Sequence, residues 1–393
     1  MTGKHAHVHI IRTGRIAAAA VAVVAIAATL TGCAGAEAVE SDDANAIVYT
    51  IRNNQPVFDP SAPAVDGYIQ DLLNGGGTVT VIVADGNPQT VASHDLDYDA
   101  ANDVEAQKVR TQNVNALSAA LTAAVADDPE ADVLAALSRG ADAVRDAAGA
   151  QRILMIDSGL STAGAFSMTN GLLGSDPALV ADYLAAAQAL PDLTGITVTF
   201  YGLGETAGAQ QPLDTAARNR LTALWAAVVD AAGGTLEVLS APPVGADSEQ
   251  AGLPFVSPVP VDAVAPPEGH LTISLQEEQV RFLPDTAQFA DPTGADVVLA
   301  ALAGAVVEQE LTSVSVTGTT ASTGNPDGER ALALARATAV RDRLVSLGVP
   351  AAWFVSVEGL GADFPGYVDN WPGGVWDDDA ARQNRQVTVT ARH

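Results

Sequence analysis

The stretch ERALALARATAVRDRLVSLGVP, residues 329–350, places apolar side chains at Ala333, Ala337, Val340, Leu344 and Leu347. Spacings of 4, 3, 4 and 3 put them on one face of a helix, so a helix is expected over Glu329 to Leu347. Gly348 ends it, with Pro350 just beyond. Working outward, Ser313 to Thr317 (SVSVT) alternates as a half-buried strand, and Asp296 to Glu308 is a helix candidate. Leu271 to Leu275 and Val280-Arg281-Phe282 suggest a strand pair, while Phe354 to Val357 and Gln386 to Thr390 close the chain as strands. Helices and strands in this order predict an α+β domain over residues 270–393.

Five words in this region carry a resemblance: VRFLPDTAQF (280–289), VSVTGTTASTG (314–324), ALALARATAVRDRLVSLGV (331–349), VEGLGADFP (357–365) and RQNRQV (382–387). Together they resemble the OmpA-like peptidoglycan-associated domain over nearly all of residues 270–392. The resemblance implies a grip on the diaminopimelate side chain of the wall peptide, which presents an ammonium and a carboxylate on one carbon. In that family an Asp in a Gly-His-Thr-Asp stretch holds the ammonium, and an Arg fifteen positions later holds the carboxylate. A guanidinium fork suits the second task because it pairs bidentately with a carboxylate. Here the stretch reads Gly318-Thr319-Thr320-Ala321, so the arginine is present as Arg336 and the aspartate is replaced by Ala321. The family's helix-start Asn is Glu329, and its final Asn-Arg-Arg-Val is Asn384-Arg385-Gln386-Val387. Three readings stay open: a wall peptide of different chemistry whose ammonium is held by Asp327 or Glu329, weak carboxylate binding by Arg336 alone, or a scaffold that has lost the site. The insertion Trp371-Pro372-Gly373-Gly374-Val375-Trp376 adds two large aromatics in a glycine-rich loop, either a contact surface or a loop anchor.

Upstream, Gly252 to Gly269 is Pro-rich without helical periodicity and reads as a semi-rigid linker within 246–269. Before it, β-branched runs at Ile47 to Ile51, Thr78 to Val83, Arg152 to Ile156, Ile196 to Tyr201 and Thr235 to Leu239 read as strands. They alternate with helix candidates at Val65 to Leu73, Val104 to Ala126, Ala131 to Ala148, Pro177 to Ala189 and Thr215 to Ala232. This predicts an α/β domain over 45–245, three-layered, with a mainly parallel sheet covered on both faces. "ILMIDSG" and "ITVTFYGLG" resemble strands of von Willebrand factor A-like domains, with a Rossmann-like sheet as the related form. The resemblance would place a divalent cation at the loop Asp85-Gly86-Asn87-Pro88-Gln89, which lacks the hydroxyls of an Asp-x-Ser-x-Ser loop, so no metal is expected. Asp95-x-Asp97-x-Asp99 lacks the glycine and late glutamate of a calcium loop and reads as a solvated acidic loop. Gly202-x-Gly204-x-x-Ala207 lies late in the domain, away from the next helix start, and makes a poor dinucleotide loop. Ser158 and Ser161 have no evident partner base, since outside the leader the histidines are His94, His270 and His393.

The first fifteen residues carry Lys4, Arg12 and Arg15 and no acid, followed by the apolar run Ile16 to Leu30. That is an export signal, too short for the roughly 20 residues of a spanning helix. Leu30-Thr31-Gly32-Cys33 resembles the lipobox of bacterial lipoproteins, which implies cleavage before Cys33 and acylation of its thiol. Two or three acyl chains, at roughly 0.8 kcal/mol per buried methylene, anchor a protein stably. Residues 33–44 then read as a flexible spacer. All 47 acidic residues follow Cys33, and so do 16 of the 19 basic ones, Lys108 being the one lysine among them. Such a surface repels nucleic acid and anionic headgroups, so membrane contact is expected from lipid alone. Cys33 is the one cysteine, which excludes disulfides, thiolate metal sites and a cysteine nucleophile elsewhere.

The sequence therefore predicts a non-enzymatic, lipid-anchored envelope protein with no cofactor. Its expected partners are the membrane and peptidoglycan, the latter touched by Arg336, Glu329, Asp327, Asn384 and Arg385. The alternative is an adaptor or receptor whose α/β domain binds an envelope protein or small ligand.

Overall fold

The computed structural model describes residues 37–58, 62–239, 252–261 and 268–393. Cys33, the export signal and the start of the spacer lie outside the described residues.

The first domain is built on a six-stranded sheet. In chain order its elements are β1 (Glu37–Val39), β2 (Ala44–Tyr49), α1 (Pro63–Gly75), β3 (Thr78–Val83), β4 (Gln89–Asp95), β5 (Tyr98–Ala100), α2 (Asp103–Ala123), α3 (Val133–Val144), β6 (Gln151–Ile156), α4 (Pro177–Ala186), β7 (Thr197–Tyr201), α5 (Thr215–Ala231) and β8 (Thr235–Leu239). The strand order is β4-β3-β2-β6-β7-β8, parallel throughout except for the antiparallel edge strand β4. β2 is buried along its whole length, as expected of a central parallel strand covered on both faces. Alternate residues feed two cores. Ala46, Val48, Ile153, Met155, Val198 and Phe200 pack under α3, α4 and α5, while Ile47, Tyr49, Val81, Leu154, Ile156 and Tyr201 pack under α1 and α2. The domain is a three-layer α/β fold.

The C-terminal domain comprises β9 (His270–Leu275), α6 (Pro292–Glu308), β10 (Ser313–Thr319), α7 (Pro326–Ser346), β11 (Phe354–Gly361), α8 (Asp378–Asn384) and β12 (Val387–Arg392). Its sheet runs β11-β10-β12-β9, with β10 and β11 parallel and the other pairs antiparallel. Ala333, Ala337, Val340 and Leu344 of α7 are buried, so the expected face is the one that packs. α7 lies close on the sheet because the strands beneath it offer glycine: a Cβ on Gly318 would strike the Ala333 carbonyl, and one on Gly359 the Leu334 amide.

Four expectations need correction. Residues 37–43 are not a flexible spacer: β1 pairs with β5, and the Asp97 carboxylate accepts from the amides of Ser41 and Gly77. Asp97 is thus a tie and not simply solvated. Val280-Arg281-Phe282 forms no strand; Phe282 makes an isolated bridge with Phe289, their rings stacked at 5.1 Å. Within the Pro-rich stretch, residues 252–261 do not stand free but are hydrogen-bonded to the α/β domain through Asn53, Asn54, Glu130 and Gln210.

The two domains share one contiguous core. The outer edge of β9 is covered by the turn before α4: the Asp176 amide donates to the His270 carbonyl at 2.8 Å, and the Thr272 amide to Ser175 Oγ at 2.9 Å. That removes an open sheet edge.

Candidate functional site

α7, the connection 276–290, the loop 320–323 and the turn before β12 surround a basin of about 300 Å³ in the C-terminal domain. Arg336 projects into it from the middle of α7. Its Nε donates to the Thr286 carbonyl at 3.0 Å, and its guanidinium lies over the Phe282 ring, 5.2 Å from the centroid. The side chain is 7% exposed, and among the described residues no carboxylate forms an ion pair with it. Burial and then the neighbouring Arg385 push its pKa down, against the pull of Glu277 and Asp285. A buried guanidinium that makes no direct ion pair gains from an anion that reaches it.

Arg385, from the turn before β12, lines the same basin and is half engaged, its Nε donating to Glu277 at 2.7 Å. Asp285 sits at the rim, exposed, in a left-handed turn (φ 55°). Ala321 lines the basin where the family places its aspartate, and it is buried and apolar. The structure therefore brings together Arg336 and Arg385 from the sequence-predicted set. It adds Glu277 and Asp285, which sequence reasoning missed because the connection 276–290 has no periodicity to mark an inward face.

Three predicted residues do other work. Glu329 is 5% exposed, and its Oε1 accepts from the amides of Thr323 and Asn325 and from the Thr323 hydroxyl. Burial favours its neutral form, but these hydrogen bonds together with one from Gly324 outweigh it and hold the carboxyl below its ordinary value. It shapes the loop and is not among the residues that line the basin. Asp327 points to solvent, 98% exposed, in a surface pair with Arg330. Asn384 is buried, and its amide binds both the N–H and the C=O of Val368 at 2.9 and 2.6 Å. Its role is to staple the insertion that carries the tryptophans. Asn370, fully buried, performs the matching task at the other side, binding the N–H and C=O of Ser322. Trp371 donates to the Ser322 carbonyl and meets Trp376 edge-on at 5.1 Å, and Trp376 lines the basin. The loop is anchored, yet both indoles remain more than a third exposed.

In the α/β domain the sequence candidates are structural. Asp85 is buried, and its carboxylate accepts from the amides of Asn87, Asp127 and Asp128. Ser161 bonds the carbonyls of Ala131 and Ala163, and Ser158 Oγ accepts from the Leu160 amide. Gly202 leaves space for the Phe58 ring. Among the described residues no group of three or more His, Cys, Asp or Glu could hold a metal ion, and no helix is long and apolar enough to cross a membrane.

The OmpA family model matches residues 281–372. The match and the β11-β10-β12-β9 sheet under α6 and α7 define the C-terminal domain as an OmpA-like domain. Similar solved structures include the peptidoglycan-associated lipoprotein from Burkholderia pseudomallei, 24% identical over 30% of this chain and 89% of that one, with a TM-score of 0.25. The cell wall anchor of the T6SS from Pseudomonas aeruginosa is 20% identical over 34% and 86%, with a TM-score of 0.27. The OmpA-like domain of FopA1 from Francisella tularensis is 18% identical over 34% and 78%, with a TM-score of 0.25. No curated protein matches the chain.

Proposed function

We propose that the protein is a non-enzymatic, peptidoglycan-binding component of the cell envelope, anchored to a membrane by lipid on Cys33 and gripping the wall through the Arg336 basin. The observation that carries this reading is the buried Arg336 guanidinium, which among the described residues makes no ion pair. A carboxylate entering over Phe282 would pair with Arg336, with Arg385 adding charge from the side. The ammonium on the same carbon would face Asp285 and Glu277, which replace the missing aspartate from a different direction. Trp376, which lines the basin with Trp371 packed edge-on against it, offers an aromatic surface for the adjoining sugar. The domain names of the similar structures, a peptidoglycan-associated lipoprotein and a cell wall anchor, support the same partner. If Cys33 is acylated, the three residues 34–36 can reach at most about 11 Å before β1 begins, so the α/β domain would stay close to the membrane.

Sedimentation of the chain beginning at residue 34 with purified wall sacculi tests the proposal. Arg336→Ala is expected to remove a charge-assisted pair of about 1.5–3 kcal/mol, a loss of roughly one to two orders of magnitude in affinity. Binding that ignores the substitution sinks the reading. A second reading, an adaptor with the OmpA-like domain as scaffold, is favoured by the apolar Ala321 and predicts no sacculus binding at all.

A further inference from the structure

Residues 252–261, GLPFVSPVPV, form neither helix nor strand, yet the main chain of Leu253 to Ser257 and of Val259 is hydrogen-bonded to the α/β domain. Asn53 Nδ2 donates to the carbonyls of Leu253 and Pro254 (3.4 and 3.0 Å), and Asn54 Nδ2 to that of Val256. The Glu130 amide donates to the Phe255 carbonyl at 2.9 Å. Gln210 binds Val259 on both sides, accepting from its N–H at 2.6 Å and donating to its C=O at 3.0 Å. The Glu130 carboxylate takes both the amide and the hydroxyl of Ser257, at 3.0 and 2.7 Å. Val256 and Val259 are 3% and 2% exposed, whereas Phe255 between them and the linker start is 48% exposed.

The receiving residues belong to the loops after β2 and β7 and to the turn before α3, at the carboxyl ends of the strands. β2 and β6 adjoin where the strand order reverses, the crevice in which open α/β sheets bind ligands. Two of the receivers are held in left-handed backbone, Asn54 at φ 65° and Glu130 at φ 68°. A glutamate there is strained, and such strain gathers where a site is shaped in advance. Beneath them the buried ion pair Arg52–Asp157, 2.8 Å, ties the ends of β2 and β6 together. Any buried segment needs its backbone groups paired; what this one adds is that side chains from three separate loops, two of them on left-handed residues, supply the partners.

We propose that this crevice is a binding site for an extended peptide of apolar–Ser–Pro–apolar pattern, and that residues 253–259 occupy it as the chain's own ligand. Val256 and Val259 are the anchors, and Ser257 is the polar key to Glu130. The segment is tethered, so its effective concentration is on the order of millimolar, and a peptide from elsewhere enters only when the segment is released.

The test uses the full chain with residues 253–259 replaced by seven Gly and Ser residues, titrated with a fluorescein-labelled peptide of residues 250–262. Saturable binding is expected to the replaced chain and none to the unaltered chain at the same concentrations. Val256→Asp in the peptide, or Gln210→Ala in the receptor, is expected to weaken binding about tenfold or more, the loss of one buried valine or of the two hydrogen bonds to Val259. A replaced chain that melts cooperatively but does not bind, or that binds the Val256→Asp peptide equally well, overturns the proposal. Should the replacement not fold, the intact chain carrying Val256→Ala is melted with increasing peptide: a melting temperature that rises with peptide concentration supports the site, and a flat one overturns it.

Discussion

Arg52 and Asp157 are 2% and 0% exposed and lie 105 positions apart in the chain. The Asp157 carboxylate also accepts from the Gly159 amide, and the turn is braced by Trp225, whose Nε1 donates to the Gly159 carbonyl at 2.8 Å. Breaking such a pair leaves one charge buried alone. Asp157→Ala is therefore expected to cost about 3–5 kcal/mol in urea unfolding, whereas the double variant Arg52→Met with Asp157→Ala costs less than the sum of the singles. Strict additivity would show that the pair is already open to water. Nothing in Thr50-Ile51-Arg52-Asn53 marks the arginine as buried, because its partner is set by strand order and not by spacing. Asp85 is the more conspicuous acid in sequence, yet its oxygens are spent on backbone amides. Arg336 was legible for the opposite reason: a helix of known register fixes which way each side chain looks. Its acidic neighbours Glu277 and Asp285 had no such frame.

At the scale of elements, α7 and its strands show how sequence pattern becomes packing. The helix expected over 329–347 runs Pro326–Ser346, and the half-buried strand at 313 extends to Thr319. β4 escaped notice because QTVASHD, an antiparallel edge strand with no fully buried position, carries too little apolar alternation to register. The glycines of β10 and β11 are equally silent in sequence, though they set how near α7 can come. Gly359→Ala is expected to force the helix outward and cost about 1–3 kcal/mol. Gly304, in the interior of α6 with open space about its Cα, gives the contrast: Gly304→Ala is expected to stabilise by roughly 0.5–1 kcal/mol through backbone entropy. Thermal melts of the two variants should move in opposite directions, and equal shifts would mean that α7 does not lie as close on the strands as described.

At the scale of the whole molecule, the two domains are one body along β9, with α4 packed on α6, and not beads on the Pro-rich stretch. The cleft between them, about 460 Å³, is lined by Asp128, Glu130, Asp132, Glu278, Asp379 and Arg382, an acidic seam with one cation. Asp132 caps α3 through the Ala135 amide, and burial, helped by Glu278 from the other domain, raises its carboxyl from 3.8 to about 6. A carboxyl whose folded pKa is raised favours the protonated folded state. Its contribution is fully present below about 3.8 and is lost as pH rises through about 6. Asp132→Asn keeps an acceptor for the cap while removing the charge. The variant is expected to be more stable than the parent at pH 8, by at most roughly 3 kcal/mol, with the gain shrinking toward zero near pH 4. A gain that is equal at every pH would locate its cause elsewhere. Glu278→Gln carries the argument across the interface: with the domains packed, it lowers the pH at which the parent loses this contribution. With the domains apart in solution, the Asp132 transition would not move, and the single-body description would fail.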